Sequence, residues 1–76
     1  MCGINGLISE NLSAEKQLSI IHAMNARLRH RGPDNQGTWA GESLCLGHTR
    51  LSIIDLSPES NQPFSSSDER YVVVYN

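Results

Sequence analysis

Met1-Cys2-Gly3-Ile4-Asn5-Gly6 opens the chain, and its reading decides the fold. Removal of Met1 makes Cys2 the N-terminus, so that one residue carries both a thiol and a free α-amino group. The reference pKa is about 7.7–8.0 for an α-amine and about 8.5 for a cysteine thiol. The amine can therefore take the thiol proton near neutral pH without a histidine partner, as N-terminal amines do for other nucleophiles. The opposing reading is a small cysteine packed at the start of a strand, which free cysteines commonly are. The rest of the chain decides between the two.

Outward from this opening, Gly3–Ser9 alternates small and apolar groups and reads as a short strand. Ser13 is a candidate helix N-cap, with Glu15 placed in the first turn. From Ala14 to Leu28, Leu18, Ile21, Met24 or Asn25, and Leu28 recur at helical spacing and predict a helix covering a core. His30 to Gly37 is dense in turn formers, and Pro33 disfavours helix at Gly32. Gly37–Ala40 and Ser43–Arg50 around Gly41-Glu42 predict an antiparallel hairpin. In its second strand, Leu44, Leu46 and His48 share one face, and Cys45, Gly47 and Thr49 the other. Ser57–Asp68 reads as a long polar loop, functional or mobile. Tyr71–Tyr75 has no alternation and reads as a buried strand covered on both faces.

Seventy-six residues make at most one small domain. Hydrophobic residues are 38% of the chain, and its only aromatics are Trp39, Phe64, Tyr71 and Tyr75, which makes for a thin core. The apolar run at Tyr71–Tyr75 lies just before Asn76, so we expect an N-terminal piece of a longer protein. A net charge of −2 gives no general attraction to nucleic acid. The cluster Arg27, Arg29, His30 and Arg31 is brief, lies beside Asp34, and reads as a solvated helix end and turn. Two cysteines fit a reduced cytoplasmic chain better than a disulfide scaffold. There is no signal segment and no apolar run long enough to span a membrane, so no membrane partner is expected.

Three segments now align: Met1-Cys2-Gly3-Ile4, Arg29-His30-Arg31-Gly32-Pro33-Asp34, and Gly47-His48-Thr49-Arg50-Leu51-Ser52-Ile53-Ile54-Asp55. With Tyr75-Asn76, they closely resemble the N-terminal glutaminase domain of glutamine-hydrolysing asparagine synthetases. Those are class II glutamine amidotransferases. The opening tetrapeptide is shared with other class II amidotransferases; the second and third segments point to the asparagine synthetase branch. The resemblance covers essentially the whole chain, residues 1–76, but only the first part of the family's glutaminase domain. It implies an α+β fold of the N-terminal-nucleophile hydrolase type, an αββα sandwich of which this chain is the N-terminal portion.

The resemblance also implies roles. Cys2 corresponds to the nucleophile that attacks the glutamine side-chain amide, its own α-amine acting as base and then as acid. Arg50 corresponds to the residue that holds the glutamine α-carboxylate, for which a planar guanidinium fork is suited. Leu51, Ile53 and Ile54 correspond to the lining of the glutamine pocket. Asn76 corresponds to the oxyanion-hole asparagine; one such donor is worth about 2.7–4 kcal/mol in a comparable hydrolase. The family's oxyanion glycine and its acidic residues for the α-amine would follow Asn76. Glutamine is the implied substrate, and the implied partner is a C-terminal synthetase domain of the parent chain, which would form an amide on aspartate or another carboxylate. The implied set leaves room for a homo-oligomer. No cofactor is expected for the glutaminase part; ATP and Mg2+ would belong to the synthetase domain.

Other residues read more plainly. His48 is expected to be packed and hydrogen-bonded, His22 to lie at the surface or the boundary, and Cys45 to fill core. Arg31 and Asp34 are expected to fix their turn by pairing and backbone hydrogen bonds. The histidines and cysteines lack zinc-ligand spacing, so no metal site is expected. Two other functional classes are weighed. One is a non-catalytic fragment or binding module, unable to turn over glutamine alone and motivated by an exposed strand edge. The other is a thiol redox module, disfavoured because Cys2 and Cys45 form no Cys-x-x-Cys motif.

Overall fold

A computed structural model of the chain describes residues 2–52 and 58–76. Of the residues singled out above, Met1, Ile53, Ile54 and Asp55 lie outside the described ones.

Strand β1 (Gly3–Ile8) is followed by helix α1 (Ala14–Arg27), β2 (Asn35–Ala40) and β3 (Leu44–Arg50). A 3₁₀ turn (Pro58–Ser60) and two short strands, β4 (Phe64–Ser65) and β5 (Val72–Val73), come after. The N-cap expected at Ser13 is present: its hydroxyl accepts from the Lys16 N–H at 3.2 Å. Glu15 in the first turn and Arg27 in the last both complement the helix dipole. The helix closes at Leu28, whose N–H reaches the carbonyls of Met24 and Asn25 at 3.2 and 3.0 Å.

The three long strands form one antiparallel sheet in the order β1-β3-β2. Gly3 opposes Thr49 and Ile8 opposes Leu44 across one ladder. Asn35 opposes Arg50 and Ala40 opposes Cys45 across the other. The expected hairpin is therefore present, with β2 beginning at Asn35 rather than Gly37. Helix α1 lies against one sheet face, touching all three strands. The faces of β3 divide as the alternation predicts, with Cys45, Gly47 and Thr49 on the helix side.

The layer between helix and sheet is more polar than the apolar spacing suggests. The buried stripe of α1 is Gln17, Ile21 and Asn25, whereas Leu18, Met24 and Leu28 are half-buried. Ile21 and Cys45 are the fully buried apolar residues among those described. The polar groups are largely satisfied, as buried ones must be. Gln17 donates to the carbonyls of Ser9 (3.2 Å) and Leu12 (2.9 Å) and accepts from the Cys45 thiol at 3.3 Å. Asn25 accepts from Asn5 at 2.7 Å and donates to the Gly37 carbonyl at 3.1 Å.

Two expectations are corrected. The segment read as a polar loop over Ser57–Asp68 contains the 3₁₀ turn and β4, because Phe64 finds Val73 and Ser65 finds Val72 across a small antiparallel pair. The segment read as a buried strand over Tyr71–Tyr75 is a strand only at Val72–Val73. Tyr71, Val73 and Tyr75 are 61%, 49% and 56% exposed, so its apolar run is not covered on both faces. The sheet face away from α1 is similarly open along β1, where Ile4 is 48% and Ile8 78% exposed.

Candidate active site around Cys2

The antiparallel register decides what Cys2 meets. Gly3 pairs with Thr49, so the residue before β1 lies beside the residues leaving β3. The Leu51 N–H donates to the Cys2 sulfur at 3.4 Å, and the Cys2 thiol lies 4.0 Å from the Leu51 carbonyl oxygen. Arg50, the last residue of β3, is 7% exposed. One of its terminal nitrogens donates to the Asn61 side-chain oxygen at 2.7 Å.

The turn between α1 and β2 ties these pieces together. Arg31 Nε donates to the Cys2 carbonyl at 3.3 Å. The Asp34 N–H donates to the Arg50 carbonyl at 3.0 Å, and an Asp34 carboxylate oxygen accepts from the Ser52 N–H at 2.7 Å. The backbone hydrogen bonds expected of Arg31 and Asp34 are present: Arg31 holds the N-terminal segment and Asp34 the exit of β3. Gly32 makes this possible. A side chain there would run into the Thr49 carbonyl and the Arg50 nitrogen, so only glycine lets the turn cross β3 this closely.

His48 is fully buried on the sheet face opposite the helix. Its Nε2 lies 3.1 Å from the Tyr75 carbonyl oxygen. A carbonyl only accepts, so Nε2 carries the proton and Nδ1 is an acceptor, buried with no partner among the described residues. Burial chiefly pushes the His48 pKa below its ordinary 6.5; the Tyr75 carbonyl pulls it up, and the Arg50 charge pushes it down. The packed, hydrogen-bonded histidine expected from the sequence is what stands there.

A pH dependence follows. Between the folded and unfolded pKa values of His48, the unfolded chain binds more protons, so stability rises with pH. His48 is expected to lower stability progressively as pH falls below 6.5. Asp68, held down chiefly by its hydrogen bond from Ser66, acts only near the carboxylate range around 3.8, a separate window. Urea midpoints taken between pH values of about 7.5 and 5 should fall more steeply in the wild type than in His48→Gln.

The structure brings Cys2, Arg50 and Leu51 together. Asn76 follows Tyr75, whose carbonyl is bound to β3 through His48, and its side chain is exposed. Cys45 is buried at the far end of the ladder opposite Leu7, away from Cys2 at the other end. Three contacts escaped the sequence reading: Arg31 to Cys2, Asn61 to Arg50, and Gln62 to the Tyr75 N–H at 2.7 Å. Asn61-Gln62 inside a polar loop carries little signal by itself. The near-burial of Arg50, which calls for an acceptor, appears only in the folded arrangement. No group of three or more metal-ligating side chains is clustered among the described residues. No helix among them is long and apolar enough to cross a membrane.

The Cys2 sulfur thus lies against the strand end that carries Arg50, and comparison with known proteins supplies the family. The chain belongs to the glutamine amidotransferase domain family, whose model matches residues 1–76. It is 38% identical over 78 residues to asparagine synthetase [glutamine-hydrolyzing] 1 of Bacillus subtilis, covering 100% of this chain and 12% of the relative. It is 40% identical over 77 residues to the asparagine synthetase [glutamine-hydrolyzing] of Zea mays, covering 100% of this chain and 13% of the relative. It is 40% identical over 75 residues to the amidase chry2 of Gibberella zeae, covering 84% of this chain and 11% of the relative. The chain thus spans a small fraction of the length of the curated relatives it matches. No solved structure matches at the same stringency.

Proposed function

We propose that this chain builds the nucleophile and carboxylate-binding side of a glutamine-hydrolysing site. The observation that carries the reading is the Cys2 sulfur receiving the Leu51 N–H directly beside Arg50. With Met1 removed, the Cys2 α-amine takes the thiol proton. The sulfur attacks the side-chain amide carbon of glutamine, and the tetrahedral oxyanion that forms is met by the Asn76 side-chain amide. The C–N bond then breaks as the ammonium of Cys2 returns its proton to the leaving nitrogen, releasing ammonia and leaving a thioester. Water, deprotonated by the same amine, cleaves the thioester to glutamate and frees the thiol. Arg50 grips the substrate α-carboxylate, and Leu51 beside it lines the pocket.

In this reading the fold is the opening portion of an N-terminal-nucleophile hydrolase sandwich. The open apolar face bearing Ile4 and Ile8 suits a second sheet layer. Ammonia would pass to a C-terminal synthetase domain in the parent protein, working in the cytoplasm, and ATP and Mg2+ would serve that domain. The same open face also favours a second reading, a non-catalytic module that docks through it. Ammonia release separates the two. The full-length protein with Met1 removed is expected to liberate ammonia from L-glutamine at a rate that saturates with glutamine. Absence of release, with a stable complex formed through the Ile4 and Ile8 face, would favour the docking module.

A further inference from the structure

Tyr75 is held in an unusual way. Strand β5 pairs with β4 only through Val72 and Val73, so the sheet ladder does not reach the residues that follow. Yet both backbone polar groups of Tyr75 are bound, each by a buried side chain from elsewhere. Its N–H donates to Gln62 Oε1 at 2.7 Å, and its carbonyl accepts from His48 Nε2 at 3.1 Å. Gln62 is 8% exposed and His48 fully buried. The Tyr75 ring, by contrast, is largely exposed and meets Phe64 only at a 6.2 Å centroid separation.

The two grips are themselves anchored. His48 lies in the central strand of the three-stranded sheet, paired with Ile4 on one side and Gly37 on the other. Gln62 is packed closely from behind: its carbonyl lies against Gly37, where any Cβ would collide with it. His48 is also two residues before Arg50 and three before Leu51 on the same strand exit that receives the Cys2 sulfur. The strand that carries Arg50 therefore also carries one of the two holds on Tyr75.

We propose that His48 and Gln62 are positioning residues: a two-point clamp on the Tyr75 backbone that sets Asn76 relative to Cys2. The inference rests on the glutamine-hydrolysis reading, in which Asn76 serves the oxyanion. An oxyanion donor must sit where charge develops, within about half an ångström of its productive place. Asn76 has an exposed side chain and no ladder of its own, so its placement depends on the residue before it. The interaction is made only in the transition state. Loosening it lowers kcat and leaves KM nearly unchanged.

The test uses the full-length protein with Met1 removed, four single variants and one double variant. Gln62→Met removes the acceptor at similar size, and Gln62→Glu keeps an acceptor. His48→Phe removes the donor, and Asn76→Ala removes the proposed oxyanion group. Amide hydrogen exchange reads the clamp directly: the Tyr75 N–H is protected in the wild type and in Gln62→Glu, and exchanges at least ~10-fold faster in Gln62→Met. Steady-state kinetics read its purpose: Gln62→Met and His48→Phe lower kcat for glutamine hydrolysis by about 10- to 100-fold, the scale of an ångström-level misplacement, with KM changed less than about two-fold. Gln62→Glu restores most of the rate. His48→Phe adds little further loss in the Asn76→Ala background.

Unchanged Tyr75 exchange in Gln62→Met overturns the clamp whatever the activity. Faster exchange with unaltered kcat, or losses that add fully to Asn76→Ala, overturns the positioning role. A wild-type rate that Asn76→Ala leaves intact overturns the hydrolysis reading of Asn76 instead, and with it the purpose assigned to the clamp.

Discussion

Replacing Cys2 by serine should lower glutamine hydrolysis by at least ~10³-fold, on the scale seen when the nucleophile of a comparable hydrolase is removed, with little change in stability. The α-amine, with a reference pKa of about 7.7–8.0, is matched to a thiol of about 8.5. A serine hydroxyl is a far weaker acid, so the same amine cannot prime it. The structural cost is small because Cys2 is half-buried and precedes β1 rather than lying within it. A serine oxygen can still accept the Leu51 N–H. A changed activity with an unchanged urea midpoint would separate chemistry from folding. A Cys2→Ser protein that retains its rate would mean that the nucleophile lies elsewhere.

Arg50→Ala should raise KM for glutamine and reduce kcat/KM by about 2–5 kcal/mol, the usual cost of truncating one partner of a buried charge pair, or roughly 30-fold to several-thousand-fold. Arg50 is nearly buried and is oriented by the Asn61 side chain at 2.7 Å, so its fork is held before substrate arrives. Lysine carries the charge without the planar fork, so Arg50→Lys should recover only part of the loss. The effect should fall on KM, unlike that of the residues clamping Tyr75. Glutamine amides lacking the α-carboxylate should lose their discrimination between wild type and Arg50→Ala. Persistence of the difference with such substrates would mean that Arg50 supports the site rather than the carboxylate.

The parts of this molecule legible in its sequence are those governed by local rules. Ser13 announced the helix start because a hydroxyl before a helical run has one good use there. Gly41-Glu42 between two alternating runs announced the hairpin, and alternation assigned the two faces of β3 correctly. The buried stripe of α1 was less legible. Apolar counting favours Leu18, Met24 and Leu28, but Gln17 and Asn25 are buried because Ser9, Leu12, Cys45, Asn5 and Gly37 supply their partners. Those partners are distant in sequence and are set by register.

Tyr71–Tyr75 shows the opposite limit. Its composition states what the run could bury, not what lies against it, and its rings stand largely in solvent. The site followed the same division. Residue chemistry singled out Cys2, whereas Arg50, Leu51 and Asn76 were singled out by the resemblance, which also gave all four their roles. The meeting of Cys2 with Leu51 required the Gly3–Thr49 register. Arg31, Asn61 and Gln62 could be read only once the arrangement supplied a carbonyl, a buried cation and an unladdered strand for them to hold.

The central claim is that Cys2 is a primed N-terminal nucleophile in a glutamine-shaped site. It is tested most directly by intact mass and peptide mapping after exposure to a glutamine-like electrophile such as diazo-oxo-norleucine. The account predicts loss of Met1 and a single adduct on Cys2, blocked by excess glutamine and diminished in Arg50→Ala, with the buried Cys45 untouched. Labelling of Cys45 as readily as Cys2, or a Cys2 adduct that glutamine does not prevent, would contradict it.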